Sequence, residues 1–165
     1  GAHDLDALLR GALWFTNSYI AAEHGASNMF ITLFYAVLEP LSGRLAYANA
    51  GHNSPWIIGR DGGLRHELAS ATLPLGIVAG QSYTASQAAI APGELLVGFT
   101  DGITEAMSAS GELFGVERLL ATLQANAELP PAELVQAVVA AVDAHAGGAP
   151  QADDMTLLVV RRDSA

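Results

Sequence analysis

The sequence predicts an α+β domain in which helices pack on antiparallel β-sheet, and three features of the chain lead to that prediction. Runs of β-branched and aromatic residues, separated by turn signals rich in glycine and proline, fill the middle of the chain. Two stretches with helical periodicity follow these runs, and an apolar run closes the chain. Because 165 residues with 51% hydrophobic composition can bury a sizeable core, residues 1–165 are predicted to form a single domain.

The first half of the chain is predicted to form one helix followed by strands. Leucine and tryptophan at helical spacing predict a helix over residues 4–22. The continuous apolar run 29–38 predicts a strand buried on both faces, with residues 44–50 as its hairpin partner. Residues 55–58 then lead through the turn at 60–63 into another short strand. Together these strands are predicted to form an antiparallel meander.

The second half combines an irregular loop, short strands and two helices. Prolines and glycines over residues 72–80 predict the loop. The predicted regular elements after it are, in chain order, strands over 83–90 and 94–99, helices over 115–124 and 130–146, and a last strand over 155–161.

Composition excludes several classes of function. The sequence contains no cysteine, and all seven of its basic residues are arginine, so thiol nucleophiles, cysteine-bound zinc, P-loop lysine and Schiff-base chemistry are excluded. A net charge of −10 argues against nucleic acid or an anionic membrane as a partner, because both require a cationic surface. The chain has no run of 18 apolar residues and begins with an acidic stretch, which favours a cytoplasmic location.

The sharpest local feature is an apolar strand that ends in Asp101-Gly102, with Glu105 close behind. A carboxylate at the end of a rigid strand is held firmly, as a ligand of a hard divalent cation must be. Asp-Gly is also a common turn that caps a strand or helix, and this alternative stays open. The strand end is therefore a candidate metal site on chemical grounds.

Two adjacent aspartates, Asp153 and Asp154, open the final apolar strand. Neighbouring residues on a strand face opposite sides, so at most one of the two carboxylates should point into a given site. A loop-to-strand junction without chemistry is the alternative, because aspartate is common at such positions.

His52 follows Asn49-Ala-Gly in a turn-like segment. Its imidazole could carry a proton near neutral pH or bind a metal. A structural hydrogen-bonding role is favoured instead, since asparagine and glycine dominate turns for backbone reasons. The segment 114–119 is most simply the start of an amphipathic helix, and no chemistry is assigned to it.

Four motifs together resemble a known family. They are Asn49-Ala-Gly-His-Asn53, Phe99-Thr-Asp-Gly-Ile-Thr-Glu-Ala106, Phe114-Gly-x-Glu-Arg-Leu119 and Asp153-Asp-Met-Thr156. In this order and spacing they resemble the bacterial metal-dependent serine/threonine phosphatases of the PPM class, in the branch similar to the stage II sporulation protein E phosphatase. The resemblance spans nearly the whole chain. It implies an αββα sandwich of antiparallel sheets flanked by helices, with two Mn²⁺ or Mg²⁺ ions between the sheets.

The resemblance implies that Asp101 and Asp153 bind metal, with Gly102 shaping the turn and offering its carbonyl to an ion. The family's first signature, an Asp-x-Ser-Gly-His-Gly type segment with the aspartate that bridges both ions, does not occur in these 165 residues. The N-terminal strands that accompany this signature are expected to be missing as well. Near the start of the chain only His3, Asp4 and Asp6 offer comparable groups, and they fall on or beside the predicted helix.

The resemblance further implies hydrolysis of phosphoserine or phosphothreonine on a small regulatory protein, such as an anti-sigma factor antagonist, with the activity incomplete in this chain. The alternative is a catalytically deficient, phosphatase-like binding or regulatory module. A third hypothesis is a metal-free structural domain in which Asp101 and Asp153 are only junction residues. Apolar strands left at a sheet edge would favour a homodimer.

Overall fold

The computed structural model describes residues 2–25 and 29–163, and within them two compact units divide the chain. The first unit consists of Gly1–Ser54 and Leu68–Ile90, and the second consists of Pro55–Glu67 and Ala91–Ala165. The elements are α1 (Ala2–His24), β1 (Leu33–Leu38), β2 (Arg44–Ala50), β3 (Trp56–Ile58), β4 (Leu64–Glu67), β5 (Ser86–Ala89), β6 (Leu95–Phe99), α2 (Asp101–Thr104), α3 (Gly115–Ala125), α4 (Pro131–Ala146) and β7 (Leu157–Arg161).

The first unit contains α1 and a three-stranded antiparallel sheet in the order β1-β2-β5. The central strand β2 is buried from Leu45 to Ala50. Helix α1 turns Leu9, Leu13 and Ile20 inward, at the spacing expected for one face of a helix. The core of this unit consists of Leu13, Ile20, Ala48, Ala50, Leu75 and Tyr83.

A buried asparagine on α1 forms hydrogen bonds that hold the irregular loop of the first unit. Asn17 is fully buried, and its Oδ1 accepts hydrogen bonds from the Gly76 amide at 2.8 Å and the Tyr83 hydroxyl at 3.0 Å. Its Nδ2 donates to the Val78 carbonyl at 3.0 Å. The predicted loop over 72–80 has no helix or strand of its own, and these hydrogen bonds attach it to α1.

The second unit contains a four-stranded antiparallel sheet in the order β4-β3-β6-β7, together with α2, α3 and α4. Strand β6 lies inside this sheet and is almost wholly buried. The core of the second unit is formed by side chains of β3, β6 and the three helices, together with Phe114 just before α3: Trp56, Ile58, Leu95, Val97, Phe99, Ile103, Phe114, Leu119, Leu123, Leu134, Val138 and Val142. Antiparallel sheets with helices confirm the predicted α+β class.

The predicted meander is wrong, because β2 and β3 belong to different sheets. The chain leaves the first sheet through a turn at Gly51, whose φ of 69° lies in the left-handed region. A Cβ at Gly51 would come within 2.5 Å of the Pro74 ring, so both the backbone angle and the packing require glycine there.

The predicted burial of run 29–38 on both faces is also wrong. Regular pairing begins only at Leu33, all of β1 is half-buried, and Phe30 is 58% exposed. Strand β1 forms the edge of its sheet, and β7 likewise forms an edge of the second sheet, with Leu158 at 56% exposure. The run 29–38 resembles a central strand in the sequence because hydrophobicity does not encode sheet order.

No helix among residues 2–25 and 29–163 combines the length and the hydropathy needed to cross a bilayer.

Candidate metal centre

Asp101 lies at the surface of the second unit, two residues after the end of strand β6. The strand is buried, and Asp101 is the exposed first residue of the short helix α2, while Gly102 and Ile103 are buried behind it. The Asp101 carbonyl accepts a hydrogen bond from the Glu105 amide at 2.7 Å. The aspartate backbone is therefore fixed, and its carboxylate stands at the end of a rigid strand as the sequence predicts.

Asp153 and Asp154 lie in a loop before β7 rather than on the strand itself, because regular pairing starts at Leu157. The argument that neighbouring strand residues face opposite sides consequently does not apply to them. Both are exposed, and the Asp153 Oδ1 accepts the amide of Asp154 at 2.7 Å, while the Gln151 side chain donates to the Asp153 carbonyl at 2.7 Å. These bonds shape the aspartates into a compact turn.

The two aspartate motifs meet through Thr100. Its amide donates to the Thr156 carbonyl at 3.1 Å, its hydroxyl donates to the Asp154 carbonyl at 3.0 Å, and the same hydroxyl accepts the Thr156 amide at 2.8 Å. Fifty-two residues separate Asp101 from Asp153 in the sequence, yet their backbones are neighbours in the fold.

Gly102 completes this contact from the other side. A Cβ at Gly102 would lie 2.4 Å from the Asp154 carbonyl oxygen and 3.2 Å from that of Asp153, so no side chain fits there. The close backbone approach explains why glycine stands at this position of α2, whereas the predicted turn-shaping role of Gly102 stays a prediction. Whether the carboxylates of Asp101 and Asp153 hold one ion, and whether Gly102 offers its carbonyl, stay predictions.

Asp101 and Asp153 offer some of the ligands that a hard-cation site requires. Carboxylate oxygens are the ligands that Mg²⁺ and Mn²⁺ prefer. Within the described part of the chain, no group of three or more histidine, aspartate or glutamate side chains could hold a metal ion. The described side chains therefore do not make up a complete two-metal centre, and cation binding by Asp101 and Asp153 stays a prediction. His3 and Asp4 fall outside the described side chains, and Asp6 lies 3.4 Å from the Gln87 amide nitrogen.

His52 occupies a structural position in the first unit. Its amide donates to Oδ1 of the buried Asn49 at 2.9 Å, and Asn49 Nδ2 donates to the Leu68 carbonyl at 3.1 Å. The His52 Nδ1 lies 3.2 Å from the Thr32 hydroxyl. The motif therefore organises a turn, which agrees with the structural alternative for His52.

The motif at 114–119 holds a loop in place through Arg118. This guanidinium donates to the carbonyls of Leu113 and Phe114 at 2.9 and 3.0 Å, and it pairs with the Glu112 carboxylate. The hydrogen bond and the charge of Arg118 hold the pKa of Glu112 below its ordinary value. The His145 Nε2 lies 2.9 Å from the Glu112 carbonyl oxygen, which links α4 to the same loop.

Thr100 is not among the site residues predicted from the sequence, although it lies directly between the buried strand and Asp101. A hydroxyl-bearing residue at a strand end beside an Asp-Gly turn was the available signal. Its partners lie 54 and 56 residues further along the chain, so its function becomes visible only in the fold.

Comparison with solved structures defines the class of protein. The chain superposes on the SiaA-PP2C domain of Pseudomonas aeruginosa with a TM-score of 0.80 and 26% identity, covering 93% of this chain and 61% of that one. It shares the fold of the manganese-soaked phosphatase domain of SpoIIE from Bacillus subtilis, with a TM-score of 0.58 and 19% identity over 81% of this chain and 57% of that one. The fold is that of the PP2C-type serine/threonine phosphatases.

The family follows from the sequence comparison. The family model described as stage II sporulation protein E (SpoIIE) matches residues 4–163, and the chain belongs to this family of bacterial PPM-class phosphatases. Protein IcfG of Synechocystis is 39% identical over 152 residues, 92% of this chain and 24% of that protein. The phosphoserine phosphatase RsbU of Bacillus subtilis is 31% identical over 87 residues, 53% of this chain and 26% of that protein. The chain thus spans about a quarter of the length of these relatives.

Proposed function

We propose that residues 1–165 form the C-terminal major part of a single PPM-type phosphatase domain. It acts on phosphoserine or phosphothreonine of a regulatory protein, with Asp101 and Asp153 as metal ligands. The observation that carries this proposal is the junction at Thr100, which brings two distant aspartate motifs side by side. Each of the two motifs also carries an exposed aspartate, which offers the kind of ligand that a hard cation requires.

Mn²⁺ or Mg²⁺ is the proposed cofactor, with two ions in the complete family site. Held by Asp101 and Asp153, such ions would supply charge neutralisation for the phosphate and activation of water for hydrolysis, which needs no protein nucleophile. The absence of cysteine and lysine is compatible with this chemistry. The role of Asp101 and Asp153 is to hold a cation, and the role of Gly102 is to let the turn at 153–154 lie close to Asp101.

The proposed substrate is a phosphorylated regulatory protein similar to an anti-sigma factor antagonist. Support comes from the match to RsbU, which is named a phosphoserine phosphatase, and from membership of the SpoIIE family. The net charge of −10 repels a phosphoprotein, so cations at the aspartates must supply the local attraction.

Turnover by this chain alone is expected to be poor, because two aspartates cannot fix two ions. Among the residues whose side chains the structure describes, no third acidic or histidine group joins them. This observation also favours the second candidate function, a phosphatase-like binding or regulatory module that recognises its partner without hydrolysis.

A homodimer in the cytoplasm is the proposed state of the chain. The half-buried edge strand β1 and the exposed Leu158 of edge strand β7 leave apolar surface and backbone groups at sheet edges, which invites pairing. Light scattering on the purified chain tests this proposal, and a stable monomer would overturn it.

Phosphate release from a phosphoserine peptide tests the proposed function directly. The chain should release phosphate slowly in the presence of Mn²⁺, and Asp101→Asn should remove this activity. Glu133→Gln, a change at an exposed glutamate in the first turn of α4, is the matched control and should leave it unchanged. No Mn²⁺-dependent release above the Asp101→Asn background would assign the chain to the binding module. Fast turnover would contradict the expectation of an incomplete site.

A further inference from the structure

We infer that Thr100 is a positioning residue, whose hydroxyl fixes the turn at Asp153 and Asp154 relative to Asp101. The inference rests on the proposed function, since it concerns the arrangement of the two metal-binding aspartates. Thr100 itself offers no charge and is not assigned as a metal ligand. Its effect on a cation would be exerted through the backbone that it holds.

The hydroxyl of Thr100 both donates and accepts a hydrogen bond, and both partners lie in the segment that precedes β7. It donates to the Asp154 carbonyl at 3.0 Å and accepts the Thr156 amide at 2.8 Å. Regular pairing between β6 and β7 ends at Phe99 and Leu157. The hydroxyl therefore extends the contact between the two segments beyond the sheet, as far as the aspartate turn.

The residue that follows Asp101, Gly102, also lies in close contact with the turn. The carbonyl oxygens of Asp153 and Asp154 occupy the space that a side chain at Gly102 would need. Asp101 lies between Thr100, which is hydrogen-bonded to the turn, and Gly102, whose missing side chain leaves space for the turn. The relative position of Asp101 and Asp153 consequently depends on the hydroxyl at residue 100.

Substitutions of Thr100 can separate the hydroxyl from the shape of the side chain. Thr100→Val keeps the β-branched volume but deletes both hydrogen bonds, whereas Thr100→Ser keeps the hydroxyl. Loss of an outer partner that orients a metal ligand typically lowers metal affinity 10- to 100-fold. We expect Thr100→Val to weaken Mn²⁺ binding about 10-fold and Thr100→Ser to weaken it less than about threefold.

The experiment uses the ¹⁵N-labelled chain and two readouts. Mn²⁺ is added in steps while the broadening of amide signals at residues 101–103 and 153–155 is followed, which gives an apparent dissociation constant. In the metal-free protein, hydrogen exchange of the Thr156 amide reports whether its bond to Thr100 is present. Thr122→Val is the matched control, because Thr122 bonds the Arg118 carbonyl within α3, away from the aspartate motifs.

The expected result is faster exchange at Thr156 and weaker Mn²⁺ binding in Thr100→Val, with both restored in Thr100→Ser and unchanged in Thr122→Val. Unchanged Mn²⁺ affinity in a folded Thr100→Val protein would overturn the positioning role. Slow exchange at Thr156 in that variant would overturn the hydrogen bond itself. If the wild-type chain shows no broadening at either segment, the metal site of the proposed function fails and the positioning role is overturned with it.

Discussion

Replacement of Gly102 by alanine is predicted to push the two aspartate motifs apart. Gly102 is buried, and the Cβ of an alanine would lie 2.4 Å from the Asp154 carbonyl oxygen and 2.9 Å from its carbonyl carbon. Non-bonded heavy atoms pack at about 3.5 Å, so the segments must separate by roughly 1 Å. The neighbour is backbone of a hydrogen-bonded turn, which cannot rotate away as a side chain would.

The expected cost is about 1–3 kcal/mol in the free energy of unfolding, the range for one extra methyl group in a packed site. The separation should also break the short bonds of Thr100 to Asp154 and Thr156, because a shift of roughly 1 Å exceeds the tolerance of a hydrogen bond. Gly102→Ala should therefore weaken Mn²⁺ binding as well as stability.

Urea unfolding followed by circular dichroism measures the stability change, and Gly98→Ala is the matched control. Gly98 lies on β6 four residues earlier, where a Cβ would meet the Leu158 Cβ at 3.9 Å, an ordinary contact. Alanine in a strand should stabilise the chain there by up to about 1 kcal/mol. Equal stability of Gly102→Ala and Gly98→Ala would refute the close approach at Gly102.

Two further predictions concern side chains outside the aspartate motifs. Tyr83→Phe should lower the free energy of unfolding by about 1 kcal/mol at pH 7, since it deletes the buried bond to Asn17 at 3.0 Å. Burial raises the pKa of Tyr83 above its ordinary value of 10.0, so wild-type stability should fall as the pH rises beyond 10.0, a loss that urea titrations of the phenylalanine variant should lack. The hydrogen bond and charge of Arg118 lower the pKa of Glu112 below its ordinary 4.5, so this carboxylate stabilises the fold above pH 4.5 and stops doing so as the pH falls through the lowered pKa. The stability difference between wild type and Glu112→Gln should accordingly vanish at low pH, and a constant difference across unfolding curves from pH 3 to pH 7 would contradict the assigned cause.

The sequence predicted well those elements that are determined by local signals. Strand β2 matches its predicted limits of 44–50, and β6 begins one residue inside the predicted 94–99, because turn residues bound both apolar runs. Strand β1 was misjudged because its exposure depends on its position at the edge of the sheet. The four-residue helix α2 is too short to show helical periodicity.

The two aspartate motifs can be singled out from the sequence, whereas the contacts that join them cannot, and metal binding by Asp101 and Asp153 stays a prediction. Asp101 and Asp153 stand out as carboxylates beside apolar runs, and the family resemblance links them. The tight approach of Gly102 to the turn and the double hydrogen bond of Thr100 depend on contacts across more than 50 residues of chain. No local pattern specifies which hydroxyl will meet which carbonyl at that distance.

The proposed function requires Asp101 and Asp153 to hold one divalent cation together, and Mn²⁺ binding followed by electron paramagnetic resonance tests this requirement. The sharp six-line signal of free Mn²⁺ reports the unbound fraction for the wild type, Asp101→Asn, Asp153→Asn, the double variant and the control Glu133→Gln. Because both carboxylates bind one ion, each single variant should lose most of the affinity, and the double variant should lose little more. Glu133→Gln should bind as the wild type does. Wild-type affinity in either single variant, or independent additive losses in the double variant, would contradict the shared site.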